Sequence, residues 1–524
     1  MVLKGEIKKG EYYDSVTLMN AARRLNSEKG VLDSAIVMAT QENKGILKTS
    51  GLLLPEFDKA DGSDLVAVVK ADNADNAAAA LARAWAIVKE KPAAKASSQG
   101  QRPNGLSGAM KDMPDANLII ISVAGRFAGS LAMDALSRGL NVMLFSDNIS
   151  LETEIELKRY ASSKGLLVMG PDCGTAIING APLAFANSVN RGDIGMVAAA
   201  GTGLQEVTAI VSNEGAGVSQ AIGTGGRDVK KDVGGISFLA GLQALAKDPQ
   251  TKVILLVSKP PHESVLRKIA AAARKIHKPV VAVLLGDEEH LLDSAGVMQF
   301  DTLEEAALVA AALSRGHDTS HADALLARRR LEEERLAIRL SAGKKPGQKH
   351  VRGLFSGGTF ASEAQLVMKP MLGRIKSNVP FAAGDKLANS LVSEGHSVID
   401  LGEDEFTVGR PHPMIDFSLR NKRIEAEAAD PSTAVILLDV VIGYGANQQP
   451  LADITPAIKA ALKTNPAVSV ICSVTGTDLD PQNRQTVMAG LKAAGATVMP
   501  SNASACRLAA LVAAACSKPS GRAR

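Results

Sequence analysis

Short apolar runs and amphipathic stretches alternate along most of this chain, a pattern that predicts strands and helices in turn. In residues 1–95 the runs "SAIVMAT" and "DLVAVVKA" predict strands, and the alanine-rich stretch 76–90 predicts a helix, so a small α/β domain is expected there. The Ser/Gln/Gly/Pro stretch "ASSQGQRPNGLSG" opens a linker placed at 96–116. From 117 to 190 the order becomes strand, helix, strand, helix, strand: "NLIIISVAG", "FAGSLAMDALSRG", "NVMLFSD", "LETEIELKRYASSKG", "LLVMGPDCG". That order predicts a parallel, Rossmann-like sheet that binds ligands at the carboxyl ends of its strands.

Two longer α/β blocks follow, at 191–313 and 350–516, joined by the charged helical segment 314–349 with "LLARRRLEEERLAIRL"; a tail at 517–524 closes the chain. The blocks read as duplicates. "DPQTKVILL" (248–256) recurs as "DPSTAVILL" (430–438), and "KPVVAVLLG" (278–286) has a counterpart in "NPAVSVICSVTG" (465–476). The expected fold class is thus a multidomain α/β protein.

Composition narrows the class. Apolar residues make up 46% and charged residues 22%, and no apolar run approaches the roughly 18 residues that span a bilayer. The N-terminal stretch has no apolar signal core, and the four cysteines lack metal-ligand pairing or dense disulfide spacing, which predicts a cytoplasmic chain without a metal site. A net charge of +4 and an aromatic content of 3% argue against nucleic acid as a partner, and no membrane association is expected. Small anionic ligands remain.

Chemistry concentrates at matched positions of the duplicates. Each opens with an apolar strand, a glycine-rich turn and a helix with an early glutamate: Gly201, Thr202, Gly203 in the first, Ser356, Gly357, Gly358, Thr359 in the second. Glycine lets backbone N–H groups approach an anion, and a helix N-terminus adds partial positive charge, so two phosphate seats are expected; the plainer reading is two strand-to-helix turns. Next in each block comes a Gly-Arg pair, "AIGTGGRDV" with Gly225, Gly226 and Arg227, and "TVGRPHPMID" with Arg410 and His412. Either arginine suits phosphate or carboxylate oxygens, or an ion pair with a nearby acid such as Asp228 or Asp416. His412 stands in a stiff turn between Pro411 and Pro413. Cys173 in "GPDCG" suits a nucleophile or a structural turn, and Asp439 and Tyr444 in "LLDVVIGYG", at the end of a buried strand, suit a ligand contact or, for Asp439, a satisfied structural aspartate.

"GPDCGTAIINGAPLAFANSVNRGDIGMVAAAGTGLQEV", with "GVSQAIGTGGRD" and "DPQTKVILLVSKPP", resembles the alpha subunit of succinyl-CoA synthetase, and the second block resembles the ligase domain of its beta subunit. The whole chain, including "KKGEYYDSVTLM", "NKGILKTSGLL", "VMLFSDN" and "GRPHPMID", is similar to the FdrA family of acyl-CoA-synthetase-like proteins. The resemblance implies a Rossmann-like CoA-binding-type domain and two flavodoxin-like ligase domains. It fails at reactive positions. The synthetase's Gly-His-Ala-Gly phosphohistidine loop is replaced by "DEEHLLDSAGVMQF" with His290, and its glutamate-bearing loop by Ser258, Lys259, Pro260, Pro261. "SVAGRFAG", with Gly125 and Gly129, is a reduced glycine motif, and residues 1–95 are too few for an ATP-grasp domain. No cofactor is therefore assigned, CoA alone being left open. The resemblance implies a carbamoyltransferase subunit using carbamoyl phosphate on oxamate or oxalurate in allantoin degradation, with partner subunits or as a homo-oligomer. It would seat phosphate on the two glycine turns, hold phosphate or the acceptor carboxylate with Arg227 and Arg410, and use His412 on the carbonyl or for proton transfer. The alternatives are an acyl-CoA ligase served by a nucleotide-binding partner, and a non-catalytic scaffold.

Overall fold

A computed structural model describes the chain apart from residues 12, 14, 27, 40, 63, 90–102, 104, 408–410 and 518–524. It divides into two compact units, residues 1–109 with 402–412, and residues 110–401 with 413–524. Part of the stretch expected as a linker, and nearly all of the expected tail, lies outside the described residues.

The first unit contains β1 (Val2–Lys8), α1 (Ser15–Asn26), β2 (Val31–Met38), α2 (Gln41–Thr49), β3 (Leu65–Ala71), α3 (Ala74–Lys89) and, in its returning segment, the single turn α13 (Asp404–Thr407). Its strands form an antiparallel sheet in the order β1-β3-β2. The central strand is the apolar run 65–71, fully buried along Leu65–Val69. Strand β1 has no such signal, because "VLKGEIK" lies on an edge and intersperses charge with its apolar residues. Trp85 of α3 packs back on it and donates to Glu6 at 2.7 Å.

Helix α4 (Leu106–Asp112) buries none of its residues. In the second unit, β4 (Leu118–Ile121), α5 (Gly125–Ser137), β5 (Asn141–Leu144), α6 (Leu151–Ser163) and β6 (Val168–Met169) make the parallel sheet that the alternation predicted. The hairpin β7 (Thr175–Ile178) and β8 (Ala181–Ala184) falls inside the range expected for that domain, yet pairs elsewhere. It extends the next sheet through an antiparallel contact with β10.

That next sheet is built from β9 (Arg191–Ala198), α7 (Gly201–Asn213), β10 (Val218–Gly223), α8 (Ile236–Lys247), β11 (Val253–Ser258), α9 (Glu263–Ala273), β12 (Val280–Leu284), β13 (Met298–Phe300) and α10 (Leu303–Ser314). After α11 (Thr319–Ser341) come β14 (His350–Phe355), α12 (Gly358–Leu372), β15 (Ile375–Ser377), β16 (His396–Asp400), α14 (Ser418–Ala429), β17 (Thr433–Val441), α15 (Pro450–Thr464), β18 (Ser469–Thr475), α16 (Arg484–Ala493), β19 (Thr497–Met499) and α17 (Asn502–Ser517). The parallel cores run β10-β9-β11-β12-β13 and β16-β14-β17-β18-β19, the same flavodoxin-like order twice, with β15 added to one edge of the second. The repeated Asp-Pro-x-Thr segments precede the matching strands β11 and β17. One apolar core runs through both halves, from Leu204 and Val207 of α7 to Phe360 and Ala364 of α12 and Leu508 of α17.

Helix α11, expected as a charged linker, is a docked brace. Arg329 reaches Glu214 and Glu304, each at 2.6 Å, and Glu333 receives Arg507 at 2.8 and 2.9 Å together with the Ser504 hydroxyl. Glu333 is buried, so its charge depends on these donors. Glu333→Ala leaves Arg507 and Ser504 short of an acceptor and should lower the unfolding free energy by about 3–5 kcal/mol, measured by denaturant titration; an unchanged midpoint would show that α11 is a tether.

Candidate functional site: two helix N-termini that meet

Strands β9 and β14 come first in the chain among the parallel strands of the two matching cores and lie inside their sheets, and each delivers its chain directly into a helix over a glycine turn. The helices α7 and α12 that follow start against one another. A Cβ on Gly203 would stand 2.9 Å from Thr359 Cγ2, and a Cβ on Gly357 would stand 2.3 Å from Thr202 Cγ2 and 2.8 Å from its Oγ1. Glycine and threonine thus exchange places across the contact, which only a residue without Cβ permits. The N-caps, Ala200 and Gly357, supply no side-chain cap, and a Cβ on Gly201 would meet open space. Thr202 and Thr359 are 8% and 5% exposed, and neither hydroxyl has a hydrogen-bond partner among the described residues.

Two like-signed dipole ends, each equivalent to roughly half a positive charge, therefore face each other with N–H groups to spare. An acid and a base stand beside them. The point where a Cβ on Gly358 would sit lies 2.6 Å from Asp400 Oδ2 and 3.9 Å from Lys259 Nζ. Both residues end or follow strands at the carboxyl edge, and neither was among the residues singled out as binding candidates. The available signal was their place, Lys259 just after β11 and Asp400 closing β16.

The turns are held from behind. Ser356 donates its N–H to Asp439 Oδ1 at 2.8 Å and its hydroxyl to Oδ2, while Arg420 donates to the Asp439 carbonyl at 2.7 Å and to Oδ1 at 3.2 Å. Asp439 is thus a satisfied structural aspartate, its carboxylate taken by Ser356 and Arg420. Tyr444, in contrast, is exposed.

The early glutamates are also matched. Each lies five residues into its turn and crosses to the other half. Glu206 accepts from Asn502 N at 2.8 Å and Thr475 Oγ1 at 2.6 Å; Glu363 accepts from Leu303 N at 2.8 Å and Asn502 Nδ2 at 2.7 Å. Each carboxyl therefore caps the last helix of the opposite repeat. Burial raises the pKa of Glu206, and pushes that of Glu363 up to about 8.

The first Gly-Arg pair takes the ion-pair reading, with a different acid. Arg227 pairs with Glu154 at 2.9 Å and donates to the Ile149 carbonyl at 2.9 Å; Asp228 instead pairs with Lys158 at 2.8 Å and receives Ser237 and Phe238 N–H at 3.1 and 2.8 Å. Gly225 has a left-handed φ of 79°, and a Cβ there would be 2.3 Å from the Pro171 carbonyl oxygen. Gly226 lies beside the end of β9, its Cβ position 3.7 Å from Ala199 O.

Arg410 lies outside the described residues. His412 is half-buried and belongs to the first unit, whereas both glycine turns belong to the second. His290 binds Asp301 at 2.9 Å, and this hydrogen bond raises its pKa. Cys173 is buried and its thiol is pushed up to about 12 by desolvation, which suits a structural turn. At the start of α5, a Cβ on Gly125 would meet the carbonyl oxygens of Asp147 and Asn148 at 2.3 and 2.5 Å, so this glycine serves close packing between loops.

Glu363 generates a pH prediction. A carboxyl near 8 when folded and near 4.5 when unfolded binds more protons folded, so its contribution is full below about 4.5 and is lost as pH rises to about 8. Glu363→Gln should remove that slope. Denaturant midpoints of the two proteins should converge at pH 5 and diverge, wild type falling, by pH 8.5; parallel profiles would mean that Glu363 is ionised throughout.

Comparison with known proteins agrees with this architecture. Residues 191–315 match the family described as succinyl-CoA ligase like flavodoxin domain, residues 354–512 match CoA-ligase, and residues 1–104 match AllF, heavy metal-associated domain. That last description implies a metal, but residues 1–104 contain neither Cys nor His, and among the described residues no group of three or more His, Cys, Asp or Glu is placed to hold one. The residues do not fit a heavy metal. No helix among the described residues is long and apolar enough to cross a membrane. The alpha subunit of ADP-forming succinate–CoA ligase from Methanothermobacter thermautotrophicus is 27% identical over 33% of this chain and 58% of its own length. The ADP-forming sulfoacetate-CoA ligase subunit SauD of Bilophila wadsworthia is 28% identical over 34% of this chain and 61% of its own. The uncharacterized protein YahF of Escherichia coli is 41% identical over 92% of both chains. With that identity over nearly its full length, the chain belongs to the YahF family of succinyl-CoA-ligase-like proteins, its own AllF-type domain lying at residues 1–104.

Proposed function

We propose that this protein is a subunit of a carbamoyltransferase that binds carbamoyl phosphate at the meeting point of α7 and α12. One observation carries the reading: two helix N-termini without side-chain caps, each with a largely buried threonine whose hydroxyl has no hydrogen-bond partner among the described residues, converge where a lysine amine also stands. Such a seat favours a phosphate group. Carbamoyl phosphate is already activated, so the protein has only to hold it beside an acceptor. The acceptor nitrogen forms a bond to the carbamoyl carbon, the bond from that carbon to the bridging oxygen breaks, phosphate leaves, and the acceptor nitrogen gives up one proton.

The FdrA-type resemblance and the AllF description both favour an acceptor from ureide catabolism, oxamate above all, with oxalurate as product. Gly201, Thr202, Gly203, Ser356, Gly357, Gly358 and Thr359 are the proposed phosphate seat, with Gly225 and Gly226 along its rim. Arg227 reaches a ligand only by leaving Glu154. Arg410 and His412 are assigned to acceptor binding and proton transfer from sequence.

A second reading, an acyl-CoA ligase completed by a nucleotide-binding partner, is favoured by the CoA-ligase relatives. It is opposed by the lysine in place of the synthetase's glutamate and by the missing histidine loop. Phosphate release from carbamoyl phosphate, dependent on oxamate and on co-expressed partner subunits, should be observed, and Gly357→Ala, whose methyl collides with Thr202, should lower it tenfold or more. Acid-labile phosphoprotein formed from ATP would instead favour the ligase. His412→Ala with full transferase activity would return that residue to a structural corner.

A further inference from the structure

Two buried glutamates lie directly behind the phosphate seat. Glu206 stands four residues after Thr202 on α7, and Glu363 four residues after Thr359 on α12, so each acid is one turn behind a seat threonine on the same helix face, with Cβ atoms about 5–6 Å apart. Both carboxyls converge on Asn502, Glu206 accepting its N–H and Glu363 its Nδ2. Burial raises the pKa of each, and the Glu206 charge adds to the rise at Glu363. The pair has a place for a proton, since the Thr475 hydroxyl, 2.6 Å from Glu206 Oε2, can accept as well as donate. The charged groups packed around the pair are committed elsewhere. Against the effect of burial, Arg507 of α17 and Arg329 of α11 hold Glu304 of α10 below the usual carboxylate range, and Arg507 also holds Glu333. Arg484 of α16, which opposes the rise at Glu206, donates to the Val474 and Pro500 carbonyls; Asp439 is paired with Arg420, and burial pushes the Cys506 thiol up.

We infer that the Glu206–Glu363 pair shares one proton and that this proton belongs to the anion site. With it in place, the pair sets a single negative charge behind the two helix starts; without it, a second charge is added against a ligand that is itself a dianion. Neither carboxyl reaches the ligand. Both are positioning residues, which tie α7 and α12 to the last helices of the opposite repeats and fix how much negative charge the seat already feels. A bound dianion in turn tightens the hold of the pair on its proton, so binding near pH 8 draws a proton from solvent. This deepens the reading of the seat as a phosphate site and rests on it.

Calorimetric titration of the full chain with sulfate, a dianion at every pH used, and with inorganic phosphate compares wild type with Glu363→Gln. The two proteins should have similar dissociation constants at pH 6.5, and by pH 9 the wild-type constant should be about tenfold the larger. Asp400 and Lys259, which stand beside Gly358 at the seat, are the same in both proteins and cancel from that ratio. With sulfate at pH 8, wild type should also take up protons on binding, seen as a heat that varies with the ionisation enthalpy of the buffer, and Glu363→Gln should not. A melting temperature near wild type at pH 6.5 certifies the fold of the variant; if it is unstable, Glu206→Gln takes its place and should move the wild-type loss of affinity to lower pH. The inference is overturned if the ratio is the same at both pH values, or if Glu206→Gln leaves the loss at its wild-type pH. Failure of the underlying reading looks different: wild type at pH 6.5 binds neither sulfate, phosphate nor carbamoyl phosphate, which overturns both.

Discussion

Two helices of one chain bring their positive ends together, and much of the second unit is organised around that repulsion. Gly203 and Gly357 allow the approach, since a Cβ at either would stand within 3 Å of the threonine opposite. Dipole ends of like sign do not meet without compensation. Asp400 lies beside one of them, its Oδ2 2.6 Å from the Cβ position of Gly358.

Holding such a contact closed falls to the buried polar groups behind it. Glu206 and Glu363 each leave their own repeat and accept from the first residues of the opposite repeat's last helix, with Asn502 touching both. Arg507 and Arg329 join Glu304, Glu333 and Glu214, so α11 fastens the two halves it connects. Buried charges give little net stability, but once in place they penalise every arrangement that leaves one unpaired. They specify how the halves sit more than they add to the energy of folding. The Asp439 pair performs the same service within the second half, fixing the Ser356 turn from its strand.

The relation to CoA ligases is one of scaffold more than of reactive groups. The two ligase-type matches fall on the two sheets that share one strand order. At the loop after β11, where the resemblance expects a glutamate, Lys259 reverses the charge. Histidine in the following loop is tied to Asp301 and has a left-handed backbone, φ 48°.

Periodicity alone determined most of the architecture: the apolar runs at 65–71, 253–258 and 433–441 are strands because nothing else buries them, and the repeated Asp-Pro-x-Thr segments marked a duplication that the two sheet orders share. The glycine turns were legible for a similar reason, being local in sequence. What each charged side chain does was not legible, because an ion pair joins residues far apart in the chain. Arg227 meets Glu154 through folding of α6 against the β10–α8 loop, and Asp439 is tied to Ser356 across 83 positions. The hairpin 175–184 carries ordinary strand signals, and only edge pairing with β10 assigned it to the larger sheet. Lys259 and Asp400 come from different repeats and meet only because two sheets of the same order are packed so that their first helices touch. Sequence spacing has no information on that meeting; the packing of α7 on α12 decides it.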